Sequence, residues 1–171
     1  MRMRWCDLLF AHWVVDAAVI RRLIPHGLEL DLFDGCAYVG AVPFRMEGVT
    51  PRGVPAMRGL EAFPELNLRT YVSSGGKPGV WFFSLDAGQK LAVRVARRLF
   101  HLPYFDAKFA IAIVDGRVEY SAVRTQRGGP DAAFAAKYRP VGAVYRSVQG
   151  SLERWLTGRY CLYAADDDGG V

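Results

Sequence analysis

The segment FPELNLRTYV, residues 63–72, carries side chains whose types suit acid–base and anion-binding chemistry. Successive side chains of a strand point to opposite faces, so alternate residues of this segment share one face. That face presents a carboxylate, an amide, a guanidinium and a phenol, which are Glu65, Asn67, Arg69 and Tyr71. Taken by itself, the pattern predicts a half-buried strand with a wet polar face.

The neighbouring segment VWFFSL, residues 80–85, is apolar on both faces, which is typical of a strand covered on both sides. If the two segments pair as a hairpin, the polar row is covered as well. Covered polar side chains must pair with one another or line a cavity. We therefore predict a cavity between Glu65 and Arg69 that holds a small polar ligand, with Arg69 binding an anionic group.

Lys108 is a candidate for a reacting amine, because it lies in a strand-like run after a basic helix and a proline. A Schiff-base lysine needs a lowered pKa, from a dry pocket or a cationic neighbour. Asp106 shares the face of Lys108 in the predicted strand 106–113 and acts in the opposite direction. We predict an ordinary surface lysine, since lysine is rarely fully buried.

Most of the elements that position these residues are predicted strands. Turn signals at Asp34-Gly35 and Asp115-Gly116 each predict two flanking strands. The other predicted strands cover residues 4–15, 64–72, 79–86 and 159–165. Residues 47–62 and 128–140 are rich in Gly and Pro and are predicted loops, the second with at most one helical turn.

Helices are few and peripheral in this pattern. Asp16 is placed to cap a short helix over residues 17–23, and Ser151 to cap another over 152–158. Residues 87–100 give the clearest helical pattern, with its basic side chains on one side. The hairpins predict an α+β domain, a mostly antiparallel sheet that curls toward a barrel with two or three peripheral helices.

Composition narrows the functional classes. The chain has 171 residues, 51% hydrophobic and 23% charged, with a net charge of +5, which is typical of one globular domain. Its three cysteines and three histidines are dispersed without metal-binding spacing, and no cofactor fingerprint occurs. We predict a cytoplasmic protein without metal or cofactor, whose basic helix is a solvated face and not a nucleic-acid or membrane surface.

Several segments together resemble the YqjF-like family of uncharacterised proteins, in the family's order and through nearly the whole chain. They are LLFAHWVVD, LIPHGLELDLFDG, FPELNLRTYV, GVWFFSLDA, LPYFDAKF and SLERWLTGRYCLY. The family is similar to acetoacetate decarboxylase, and this resemblance implies a closed antiparallel barrel around a cavity. The family usually continues past RYCLY, so we expect residues 1–171 to form one such domain that is truncated at its C-terminus. Its cavity is then open, or is completed by another subunit of a homo-oligomer.

The resemblance also bears on the site residues. Glu65 stands where the decarboxylase has an active-site glutamate, whereas Tyr104 and Phe105 follow Pro103 where the decarboxylase has its paired lysines. Lys108 lies further along and does not match them. The resemblance therefore implies a pocket without imine chemistry, formed by Glu65, Arg69 and Tyr104. Two residues of the first strand, Arg4 and His12, are candidates to join it.

Three functional hypotheses remain open. The first is a barrel that binds a small anionic or carbonyl-containing molecule without catalysis. The second is a lyase, hydratase or hydrolase in which Glu65 is the general base and Tyr104 or Arg69 stabilises an oxyanion. The third, which the pattern favours least, is a nucleic-acid or membrane-surface protein that works through the basic helix.

Overall fold

The computed structural model describes residues 2–50, 62–89 and 101–165, with the side chains of residues 2, 49 and 50 left out. Their fold is a strongly curled, mostly β half-barrel with two short helices. In chain order the elements are β1 (Arg2–Cys6), β2 (Ala11–Val15), α1 (Ala17–Arg21), β3 (Glu29–Leu30), β4 (Ala37–Thr50), β5 (Ala62–Ser74), β6 (Lys77–Ala87), β7 (Tyr104–Val114), β8 (Arg117–Arg124), β9 (Ala133–Tyr138), α2 (Leu152–Thr157) and β10 (Leu162–Tyr163).

The strands follow one another across the sheet in the order β1, β4, β5, β6, β7, β8, β9. Beside this path, β2 pairs with β4, β3 with β5 and β10 with β6. The predicted mostly antiparallel sheet is correct for most pairs, but β6 pairs in parallel with both β7 and β10, so the sheet is mixed. The reason is that β6 and β7 are joined by residues 88–103, which are long enough for a parallel crossover.

Both predicted turns form, but one of them is not a hairpin between long strands. Asp115 and Gly116 have φ values of 49° and 71° and join β7 to β8 as predicted. Asp34-Gly35 also turns with positive φ, yet its flanks meet only in the bridge between Phe33 and Cys36. The two strands predicted to flank Asp34-Gly35 both form, but the short β3 pairs with β5 instead of β4.

The predicted continuous strand over residues 4–15 is also wrong. Asp7 has a φ of 54°, a left-handed conformation that interrupts an extended chain. The segment forms two strands, and each pairs antiparallel with its own part of β4. The interruption separates β1, which pairs with the C-terminal part of β4, from β2, which pairs with its N-terminal part.

Residues predicted as loop form β9, which pairs antiparallel with β8. Phe134 and Tyr138 alternate with exposed residues and pack against a cluster that contains Val118 and Tyr120. The predicted final strand is confirmed only for Leu162–Tyr163.

Both short helices are confirmed with their caps. The Asp16 carboxylate accepts a hydrogen bond of 2.7 Å from Ala18 N, and Ser151 Oγ accepts one of 3.3 Å from Arg154 N. The predicted helix over 87–100 and loop over 47–62 fall largely outside the described residues, and so does the end of the chain after 165. Where these segments are described, the predictions are wrong, because residues 47–50 belong to β4, Ala62 to β5 and Ala87 to β6. Among the described residues, the structure contains no helix with the length and apolar character needed to span a membrane.

Candidate functional site

The polar row of β5 is buried, as the covered-strand interpretation predicts. The relative exposure is 2% for Glu65, 4% for Asn67, 6% for Arg69 and 0% for Tyr71. The row lies between the apolar residues of β4 and β6 that face the same side. In that register Asn67 is opposite Val42 on one side and Leu85 on the other.

At one end of the row, Glu65 meets Tyr104 from β7. The Tyr104 hydroxyl donates a hydrogen bond of 3.3 Å to Glu65 Oε2. Burial raises the pKa of Glu65 to about 8, although hydrogen bonds from Tyr104 and Asn67 act in the opposite direction. Burial and the nearby Glu65 raise the pKa of Tyr104 as well. Near neutral pH, this end of the row is therefore a protonated carboxyl beside a phenol.

At the other end, Arg69 is a buried cation. Its Nη2 donates to the Leu156 carbonyl at 3.1 Å and to the Tyr71 hydroxyl at 3.4 Å, and its guanidinium lies 5.1 Å from the centre of the Phe10 ring. Its Nε has no hydrogen-bond partner. Within the described part of the chain, no carboxylate forms an ion pair with Arg69, so this end of the row carries an uncompensated positive charge. Glu65 is not paired with it.

His12 joins the row from β2, as one of the two first-strand candidates. Its Nε2 lies 2.7 Å from the Tyr71 hydroxyl, which donates to the Leu156 carbonyl at 2.8 Å. Burial, together with the charge of Arg69, lowers the pKa of His12 to about 4, so the imidazole is neutral at pH 7. A Cβ at Gly40 of β4 would lie 3.0 Å from the His12 ring, so a glycine here makes room for the imidazole.

The other candidate from the first strand, Arg4, is not brought to the row. It lies on β1 opposite Glu47, with an exposed side chain. Lys108 is exposed on β7, as predicted for a surface lysine. The structure therefore brings together Glu65, Asn67, Arg69, Tyr71, Tyr104 and His12, and leaves Arg4 and Lys108 outside.

Sequence reasoning missed a second arginine near Tyr71. Arg159, which follows α2, forms an ion pair of 2.6 Å with Asp31, and its guanidinium lies 5.2 Å from the centre of the Tyr71 ring. It also stacks on Trp155 of α2 at 4.3 Å. Arg159 and Asp31 are far apart in the chain, and no local pattern connects them.

The opposite face of the sheet holds a different charged cluster. Arg124 of β8 binds Asp86 of β6 through two hydrogen bonds of 2.6 and 2.8 Å, and both side chains are buried. Arg124 also stacks on Phe105 at 3.9 Å and donates to the Pro130 carbonyl at 3.2 Å. A half-open cleft of about 370 Å³ borders this pair, with Leu66 and Phe134 among its lining residues.

Comparison of the sequence with known protein families and proteins identifies the family of this chain. A family model described as an uncharacterized conserved protein, DUF2071, matches residues 2–171. The chain belongs to the DUF2071 family. It is 47% identical over 163 residues to the uncharacterized protein YqjF of Bacillus subtilis (strain 168), covering 95% of this chain. It spans 66% of the length of YqjF.

Solved structures show the acetoacetate decarboxylase-like fold. Acetoacetate decarboxylase from Legionella pneumophila superposes with a TM-score of 0.53 at 14% identity, covering 81% of this chain and 52% of that one. The enduracididine biosynthesis enzyme MppR, complexed with pyruvate, superposes with a TM-score of 0.52 at 16% identity, covering 71% and 50%. At these sequence identities the likeness shows the fold alone.

Within the described part of the chain, no three His, Cys, Asp or Glu side chains are grouped to hold a metal ion.

Proposed function

We propose that this protein binds a small anionic or carbonyl-containing molecule along the polar row of β5. The observation that carries the proposal is Arg69, a buried guanidinium with an unpaired Nε and no carboxylate partner among the described residues. An uncompensated buried charge is costly, and an anionic ligand that binds it offsets that cost. The protonated Glu65 beside Tyr104 adds hydrogen-bond donors for a carbonyl oxygen.

The carboxylate of the ligand pairs with Arg69, because a planar guanidinium can donate two parallel hydrogen bonds to the two carboxylate oxygens. Tyr71 accepts a hydrogen bond from Arg69 and contacts His12, and neither side chain contributes a formal charge at pH 7 when His12 is neutral. The apolar residues of β4 and β6 around the row exclude water, which strengthens the pairing. MppR, a protein of the same fold, is complexed with pyruvate, which agrees with a small anionic ligand.

The test is a thermal-shift screen of small carboxylates and ketones on the wild type, Glu65→Gln and Arg69→Met. A ligand that binds the folded state raises the melting temperature with its concentration. We expect carboxylates to stabilise the wild type and to leave Arg69→Met unchanged. If no compound stabilises the wild type, or both variants respond as the wild type does, the proposal is wrong.

The second candidate is an enzyme of the lyase, hydratase or hydrolase class that acts on a small carbonyl or carboxylate compound. The raised pKa of Glu65, with Tyr104 at 3.3 Å, favours it, because such pairs are common at catalytic sites. As a general base, Glu65 must be ionised, so the rate must rise as the pH increases through about 8. A rate that falls over this range would instead make Glu65 a general acid.

We propose that neither function proceeds through a Schiff base. The resemblance to the decarboxylase implies that Tyr104 and Phe105 stand where its motif has lysines, and Lys108 is exposed on β7. Borohydride reduction in the presence of pyruvate tests this point, with mass spectrometry of the intact protein as the readout. We expect no adduct above the level of a Lys108→Arg control, and a stoichiometric adduct on Lys108 would contradict the proposal.

A further inference from the structure

Two unpaired polar atoms belong to residues two positions apart on the inner face of β5. Asn67 Oδ1 and Arg69 Nε are both buried, and neither has a hydrogen-bond partner. Their side chains are 4% and 6% exposed, and they are two positions apart on one strand face, about 7 Å between Cα atoms. Buried polar atoms are normally paired, so two such atoms on neighbouring positions of one strand face indicate a missing partner.

The two atoms have opposite hydrogen-bonding character. Asn67 Oδ1 is an acceptor and needs a donor, whereas Arg69 Nε is a donor and needs an acceptor. A molecule that satisfies both has an acceptor group at one end and a donor a few ångströms away. A keto acid has acceptors only and leaves Asn67 Oδ1 unpaired.

We infer that the ligand of this site is a small hydroxycarboxylate, whose carboxylate binds Arg69 and whose hydroxyl donates to Asn67 Oδ1. The inference rests on the proposed function and names the class of ligand within it. An amino acid also has a donor, but its ammonium group would add a second cation beside Arg69. The carboxyl nearest along the row, Glu65, is largely protonated at pH 7 and would not compensate it.

The other buried guanidinium with an unpaired atom does not compete for this assignment. Arg159 Nη2 has no partner, but Arg159 already pairs with Asp31 at 2.6 Å. The charge of Arg159 is therefore compensated, and an anion there would have to displace Asp31. Only the pair at Asn67 and Arg69, within the described residues, combines an uncompensated cation with a neighbouring unpaired acceptor on the same strand face.

The test compares matched ligands on the wild-type protein by isothermal titration calorimetry at pH 7. One set is lactate, pyruvate and propionate, and the other is 3-hydroxybutyrate, acetoacetate and butyrate. Within at least one set, we expect the hydroxy acid to bind roughly three- to tenfold more tightly than its keto and unsubstituted analogues, the ratio that one additional hydrogen bond gives.

Two variants connect the preference to its residue. Asn67→Leu removes the acceptor. We expect it to bring the ratio of the affinities for the hydroxy acid and the unsubstituted acid to about one, while carboxylates still bind through Arg69. Ser73→Ala, a change on the same strand outside the row, is the control and should keep the wild-type ratio. If Asn67→Leu does not fold, the wild-type ratios alone decide the question.

The outcomes separate this inference from the proposed function. If carboxylates bind in an Arg69-dependent manner but the keto or unsubstituted acid binds as tightly as the hydroxy acid in both sets, the hydroxycarboxylate assignment is wrong and the proposed function stands. The assignment is also wrong if Asn67→Leu keeps the wild-type ratio. If no acid of either set binds, the hydroxycarboxylate assignment is wrong, and the thermal-shift screen of carboxylates and ketones decides the proposed function.

Discussion

Arg69 and Arg124 are two arginines buried to a similar degree on opposite faces of one sheet, and their surroundings differ. Arg124 has a carboxylate partner, Asp86, at 2.6 and 2.8 Å, and its remaining contacts are a ring and a carbonyl. Arg69 has a carbonyl, a phenol and a ring around it, and one of its nitrogens is unpaired.

The difference separates a structural charge from one that is available to a ligand. A bidentate pair such as Arg124–Asp86 satisfies both charges, so an added anion gains little there. Arg69 keeps its charge uncompensated within the described structure, in a setting of low polarity where an anion would be bound strongly. Four changes test this contrast, from the largest expected effect to the smallest.

Breaking the paired charge has the largest effect. Arg124→Met leaves Asp86 buried without its cation and is expected to lower the free energy of unfolding by about 3–5 kcal/mol. Urea denaturation followed by circular dichroism measures this change. The melting-temperature shift that carboxylates cause should survive in any fraction that folds, because Arg124 is on the other face. A loss below about 1 kcal/mol would show that the pair is not structural.

The second effect is a pH dependence of stability from Glu65. Its pKa is raised from 4.5 to about 8 on folding, so the folded state holds an additional proton between these values and stability falls as the pH rises through them. The slope is at most about 1.4 kcal/mol per pH unit. His12, whose pKa falls from 6.5 to about 4, has the opposite slope below pH 6.5.

Between pH 6.5 and 8, the pH dependence of the free energy of unfolding therefore reports on Glu65 and not on His12. We expect the free energy of unfolding of the wild type to decrease across this window relative to Glu65→Gln, which cannot ionise. Parallel curves for the two proteins would mean that Glu65 is ionised at neutral pH, and the protonated carboxyl would then be excluded from the ligand site.

A smaller effect is expected from Gly40→Ala, which adds a Cβ 3.0 Å from the His12 ring without changing any charge. The imidazole must move away from Tyr71, and overpacking of this kind costs about 1 kcal/mol or slightly more. The downward shift of the His12 pKa, followed by NMR titration of its ring protons, should become smaller. An unchanged His12 pKa would show that the glycine does not position the ring.

The smallest effect on stability is expected from Arg69→Met. The Leu156 carbonyl keeps its hydrogen bond from Tyr71 at 2.8 Å, and an uncompensated charge is removed, so the net change should stay below about 1 kcal/mol. Arg69→Met and Arg124→Met are the same substitution at two sites. Urea denaturation of both variants therefore compares the contributions of the two arginines to stability directly. Equal losses would mean that Arg69 is as structural as Arg124.

The sequence was sufficient to predict what depends on local pattern. The turn at Asp115-Gly116, the caps Asp16 and Ser151, and the shared face of Glu65 and Arg69 follow from residue type and a period of two. The burial of that face followed from the apolar strand beside it. The alternation of Phe134 and Tyr138 in β9 was present in the sequence, but the Gly and Pro before it favoured a loop.

What the sequence did not predict depends on contacts between distant residues. The pair of His12 with Tyr71 joins residues 59 positions apart, and Arg124 with Asp86 joins residues 38 apart. Both contacts reach across one intervening strand, β4 in the first case and β7 in the second, and they depend on pairing registers that are not encoded in any one segment. The break of the first strand at Asp7 likewise reflects its pairing with two parts of β4.

Isothermal titration of the wild type and Arg69→Met with lactate at pH 7 is the most direct test of the central claim, that the unpaired arginine of β5 binds a small carboxylate. We predict saturable binding to the wild type and to the Ser73→Ala control, with a loss of at least tenfold in Arg69→Met. Binding of equal strength to the folded Arg69→Met protein would contradict the claim.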